Sequence, residues 1–208
     1  LAREKQVVGQ EIAEAADTPD DLVFELAQEA AFAGQPLGRP ILGTPASIGT
    51  ATPDSLDAWR ARLYAPDRLV ISATGAVDED ELLALAERHF GAASGGGDPA
   101  PEPGVFTAGV RTVSKKLEQA NLVLLLPAVG ATHEDYFTLR LLSEILGGGM
   151  ASRLFQEARE VRGLAYAIDA YAETYSDVGA LGVFSGCAAG DAVELAQVTA
   201  QQIRMLTE

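Results

Sequence analysis

The sequence predicts an α+β fold in which helices pack on antiparallel sheet. Two observations carry this. Helix and strand signals alternate along the 208 residues, and both halves of the chain hold strand, turn and capped helix. The stretch from Gly163 to Ala188 also reads as two strands folded around a Ser176-Asp177 turn, an antiparallel pair by construction.

The elements follow in order. "REKQVVGQEIAEAAD" is a helix without a preceding Ser, Thr or Asp cap. "DTPDDLVFELAQEAAF" offers Asp17 or Thr18 as N-cap, Pro19 in the first turn and a stripe of Leu22, Val23, Leu26 and Ala30. The Gly- and Pro-dense "AGQPLGRPILGTPASIG" is an extended loop. Thr52 and Pro53 open a short helix, and "RLVISATGAV" is a strand. Asp78 caps a helix with Glu81 completing a capping box and Gly91 as its stop. "GAASGGGDPAPEPG" reads as a linker. The second half restarts with strands "VRTVSKKL" and "ANLVLLLPAV". Thr132 caps a helix ending at Gly147-Gly148-Gly149, "ASRLFQEAREV" is another helix, and Asp191 caps the last.

Bulk composition narrows the function. A formal net charge of −15 argues against a nucleic-acid or anionic-membrane surface. No apolar run approaches the roughly 20 residues of a membrane span, and no basic-then-apolar leader opens the sequence. The lone Cys187 excludes an internal disulfide and reads as a structural thiol at a strand end. The compartment is open between cytoplasm and periplasm.

Neither of the two histidines, His89 and His133, has a second His three or four residues on, so the chain has no His-based metal clasp of its own. No G-x-S-x-G occurs, and "GGGM" lacks the Lys-Ser/Thr of a phosphate loop. Two constellations remain. Glu4 and Glu11 share one helical face, as a solvated acidic stripe or as part of a site. Arg159 and Tyr166 bracket a helix end and a strand start, either as ordinary surface residues or as a pair holding a carbonyl or oxyanion.

Resemblance bears on both. "QPLGRPILGTPASIGTATPDSLDAWRARLYAPDRLVISATGAVDEDELLALAERHFG" resembles the second half of the catalytic domain of the M16 zinc peptidases. That family includes pitrilysin, insulin-degrading enzyme and the mitochondrial processing peptidase with its bacterial relatives. "LSEILGGGMASRLFQEAREVRGLAYAIDAYAETYSDVGALGVFSG" is similar to the family's second domain. The resemblance implies segments of two LuxS/MPP-like metallohydrolase domains. Residues 1–91 are then the end of the first, 92–104 a linker and 105–208 the start of the second. It implies zinc held by two His of H-x-x-E-H and by a Glu on a later helix, with the motif's own Glu activating water. Glu11 matches that later ligand, Glu4 the acid that supports it, and Arg159 with Tyr166 the pair that holds substrate. The motif itself does not occur in these 208 residues, and the resemblance places it upstream of Leu1. The expectation is a segment of a metalloendopeptidase, binding zinc poorly and inactive alone. In the intact protein it would act on peptides while paired with itself or a sister subunit. The alternative is a non-catalytic subunit serving as scaffold or peptide-binding partner.

Overall fold

The computed structural model describes residues 1–93, 96 and 102–206. Most of the expected linker, residues 94, 95 and 97–101, lies outside the described residues. Two compact units form, one from 1–7 with 45–102 and one from 8–44 with 103–208. Helix α1 (Ala2–Asp17) contributes to both, and α2 (Pro19–Ala31) belongs to the second.

The first unit holds α3 (Pro45–Thr50), α4 (Pro53–Leu63) and α5 (Glu79–Phe90). Thr52 and Ser55 cap α4 reciprocally. The Ser55 N–H donates to Thr52 Oγ1 at 3.1 Å, and the Thr52 N–H donates to Ser55 Oγ at 2.9 Å. Asp78 caps α5 by accepting the Glu81 N–H at 2.9 Å. The expected strand over 68–77 does not form. Its backbone finds no ladder partner among the described residues, and Val70 is 87% exposed. A strand is completed only by a neighbour that takes its N–H and C=O groups.

In the second unit three antiparallel strands, β1 (Gln119–Ala128), β2 (Ala165–Thr174) and β3 (Gly179–Ala188), lie in the order β1-β3-β2. The turn expected at Ser176-Asp177 joins β2 to β3, closed by the Tyr175 N–H donating to Val178 O at 2.8 Å. Strand periodicity sorts the side chains. One face carries Ile168, Ala170, Ala172, Leu181, Val183 and Cys187. Against it pack Leu139 and Leu146 of α6 (Tyr136–Gly147), Leu154 and Ala158, and Leu195 and Val198 of α7 (Ala192–Arg204). Burying each such leucine stabilises by about 1.5–3 kcal/mol. Helix α6 comes so close to β2 that a Cβ on Gly147 would collide with the backbone N of Ala170.

The opposite face is covered by α2. The Phe24 ring lies 5.7 Å from Tyr171 and 5.3 Å from Phe184. Farther along, Phe32 is fully buried against Phe106 and Tyr175, and Gln28 Nε2 donates to the Tyr175 hydroxyl at 2.9 Å. That hydroxyl in turn donates to Glu173 Oε1 at 2.5 Å.

Several local expectations are corrected. Residues 110–117 form no strand. The extended stretch from Gly104 onward is strapped to its surroundings by side chains: the Gly104 N–H donates to Asp177, the Thr107 hydroxyl bonds Ala31 O, Arg111 pairs with Glu29, and Lys115 donates to Ala16 O. Thr132 does not cap α6, which starts after Asp135. Its hydroxyl donates to Ser176 O at 3.0 Å, a longer-range partner. The Thr18 hydroxyl donates back to Glu14 O instead of capping α2, and the Asp191 side chain makes no cap bond to α7. No helix among the described residues is long and apolar enough to cross a membrane.

Two outcomes follow from this packing. Gly147→Ala destabilises the chain by about 1–3 kcal/mol, read as a lower urea midpoint, whereas Gly149→Ala, whose added Cβ meets nothing within 4 Å, changes it by less than about 0.5 kcal/mol. Burial first, then Glu173, raises the Tyr171 and Tyr175 hydroxyls well above the ordinary tyrosine value of 10. A raised folded-state value means this stabilisation is full below that pH and is lost as pH rises toward the folded value. The urea midpoint therefore falls above about pH 10, and tyrosinate absorbance follows the ionisation of these two hydroxyls above that pH.

Candidate functional site

The expected helix over residues 151–161 is underwound, and so widened, over part of its length. From Phe155 to Val161 it is a π-helix. The Arg162 N–H reaches back five residues to Glu157 O at 3.2 Å, and the Leu164 N–H reaches six to Ala158 O at 2.9 Å. Leu154 and Ala158 are fully buried and pin the inner side, while Gly163 takes a φ of +66° and releases the chain into β2. Arg162 ties the segment down, bonding Glu157 at 2.8 Å and reaching Glu194 of α7 at 3.6 Å. Arg159 is thereby left on the exposed side, its guanidinium 4.7 Å from the centroid of the Phe155 ring. Phe155 packs on the buried core, so the ring is a fixed platform for that charge.

Tyr166 follows a few residues later at an irregularity of the sheet. Ala165 pairs with Cys187 and Ala167 with Gly186, so Tyr166 is the extra residue of a β-bulge. The bulge leaves it without a ladder partner, and its side chain is 58% exposed. Arg159 and Tyr166 thus stand at the two ends of one short connection in the second unit, both presented to solvent by non-standard backbone.

Glu4 and Glu11 lie two turns apart on one face of α1, both exposed and neither bonded or ion-paired among the described residues. Zinc sites take about four donors. No group of three His, Cys, Asp or Glu among the described residues is placed to hold a metal ion. The Glu11 carboxylate is a chemically suitable zinc donor, but the described residues do not fit a zinc ion by themselves. His133 is engaged locally, its Nδ1 accepting the Asp135 N–H at 3.1 Å. Cys187 is fully buried, its thiol pushed up by that burial and directed to Ala120 O at 3.8 Å, as a structural thiol should be.

Sequence reasoning missed the grouping of Gln28, Tyr171, Glu173 and Tyr175 over the α2 face of the sheet. The period-two run Asp169, Tyr171, Glu173 was the available signal, since it puts polar and aromatic side chains on a face also touched by α2.

The three-stranded antiparallel sheet with helices packed on it defines an α+β domain. The profile of the peptidase M16 inactive domain matches residues 50–208. The chain belongs to the peptidase M16 family. It is 36% identical over 204 residues to an uncharacterized zinc protease of Mycobacterium leprae, covering 95% of this chain and 46% of that protein. It is 36% identical over 208 residues to the uncharacterized zinc protease YmxG of Bacillus subtilis, covering 99% and 50%. Among solved structures, the peptidase M16 inactive domain from Pseudomonas fluorescens superposes with a TM-score of 0.87 at 23% identity, over 98% of this chain and 51% of that one. A chain of complex III2 from Candida albicans superposes with a TM-score of 0.86 at 20% identity, over 96% and 50%. These last two establish likeness of fold. The chain spans about half the length of the curated relatives it matches.

The platform under Arg159 is open to test. Phe155→Leu keeps the apolar contact and removes the ring, at a cost of roughly 0.5–1 kcal/mol. The expected signature is loss of the ring-current shift on the Arg159 Nε–H resonance in 15N-edited spectra, with the rest of the spectrum unchanged. A resonance that does not move shows that the stack does not persist in solution.

Proposed function

We propose that this chain is part of a zinc-dependent endopeptidase acting on peptides. Glu11 supplies one carboxylate to a zinc ion whose other donors come from outside residues 1–208, and Glu4 orients that helix face from behind. Those donors belong to a longer polypeptide or to a paired subunit, a second copy or a sister. Arg159 and Tyr166 hold the peptide: a guanidinium and a phenol together donate several hydrogen bonds to a carbonyl oxygen, and they hold it more tightly as negative charge grows there. The observation that carries this reading is the identity of 36–37% across nearly the whole chain to proteins named zinc proteases. The exposure of all four residues supports it.

A second reading, a non-catalytic subunit that binds peptide or serves as scaffold, is favoured by one observation. The matching profile is that of the family's inactive domain.

Zinc content and proteolysis separate the two. The 208-residue chain alone binds zinc substoichiometrically and cleaves no casein. Stoichiometric zinc retained through gel filtration overturns the assignment of donors outside these residues. In the full-length polypeptide, Glu11→Gln abolishes chelator-sensitive cleavage, and Glu4→Gln weakens zinc binding about 10–100-fold, measured by mass spectrometry of bound metal. A full-length polypeptide that binds peptide, holds no zinc and cleaves nothing supports the scaffold reading.

A further inference from the structure

The second unit has a pocket of about 520 Å³ between α2, the loop after it and the sheet, and none of Glu4, Glu11, Arg159 or Tyr166 lines it. Its volume is within the range of about 300–1,000 Å³ typical of small-ligand sites. Phe24, Leu37 and Leu125 give it an apolar wall, and the rings of Tyr171 and Tyr175 open onto it. Tyr171 is held flat over the sheet by Gly182, where a Cβ would collide with its ring, and by the Phe24 ring at 5.7 Å. The aromatic surface is therefore built in place before any ligand arrives.

The polar groups around that surface are mostly acceptors. Glu173 receives the Tyr175 hydroxyl on Oε1, which leaves its second oxygen open. Gln28 spends its amide N–H groups on Tyr175 and on Leu37 O, which leaves its carbonyl open. Glu25 adds a second carboxylate, and against the two stands one guanidinium, the exposed Arg39. Negative charge beside π faces and an apolar wall is the complement of a cation on a hydrocarbon stem.

We propose that this pocket binds an organic cation, an ammonium or guanidinium on a short apolar stem. The head pairs with the open oxygen of Glu173 and rests against the tyrosine rings. The stem lies on Phe24, Leu37 and Leu125. The site does not depend on zinc or on the peptidase reading, and its test uses neither.

The test is an NMR titration of the 208-residue chain with butylguanidinium, butylammonium and the neutral butylurea. The two cations are expected to shift the resonances of Phe24, Leu125 and Tyr171 saturably, with butylurea at least about tenfold weaker. Glu173→Gln retains an oxygen for the Tyr175 hydroxyl and so leaves the fold intact, yet weakens both cations about tenfold. Arg39→Gln strengthens them. Agmatine and the tripeptide amide Ala-Arg-Ala separate the sources. Tighter binding of the tripeptide assigns the pocket to a basic side chain of a peptide, and tighter binding of agmatine assigns it to a free amine. Equal affinity for the cations and butylurea, or shifts that map elsewhere on the chain, overturns the proposal.

Discussion

Strand β3 must satisfy both of its edges and both of its faces, and the second unit is arranged around that demand. It pairs antiparallel with β1 on one side and β2 on the other along its whole length. Its sequence, "GALGVFSGCA", is almost entirely small or apolar, and nearly every residue is buried. Small side chains are what let helices approach on one face and aromatic rings lie flat on the other, at Gly182 beneath Tyr171. Burial on both faces also explains why this strand reads as a continuous apolar run while β2 alternates.

From that rigid centre two of the candidate residues, Tyr166 and Arg159, are displaced by departures from regular backbone. β2 follows β3 in strict register until it reaches Ala167, where the bulge interposes Tyr166 and pushes it outward. Just before it, the helix widens to π geometry while Leu154 and Ala158 stay buried and Gly163 turns the chain into β2. Irregularities of this kind weaken local hydrogen bonding, and they persist where the surroundings over-determine them. Here the salt bridges of Arg162 and the packed ring of Phe155 do so.

Legibility in the sequence followed the range of the interaction. Thr52 and Asp78 were readable as helix starts because each side chain accepts an N–H within one turn. The β2–β3 pair was readable because its turn is local. Thr132 and Thr18 carried the same cap signal and were drawn to other acceptors, Ser176 O and Glu14 O. Residues 68–77 and 110–117 have strand composition, but strand formation needs a partner that composition does not name. The candidate residues Glu4, Glu11, Arg159 and Tyr166 were nameable from their types and from family resemblance, whereas the bulge, the π turn and the Phe155 platform were not.

The amino-acid sequence by itself determined the α+β class, the family, the helix starts at Thr52 and Asp78 and the β2–β3 pair, since each depends on neighbours within a few residues or on similarity along the chain. Only the tertiary structure decided that Gln28 meets Tyr175 across 147 positions, that Phe24 closes over Tyr171, and that Tyr166 and Arg159 turn to solvent. Those outcomes rest on packing between segments distant in the chain. Side-chain volumes and unpaired backbone groups settle them jointly, and no single segment encodes the result.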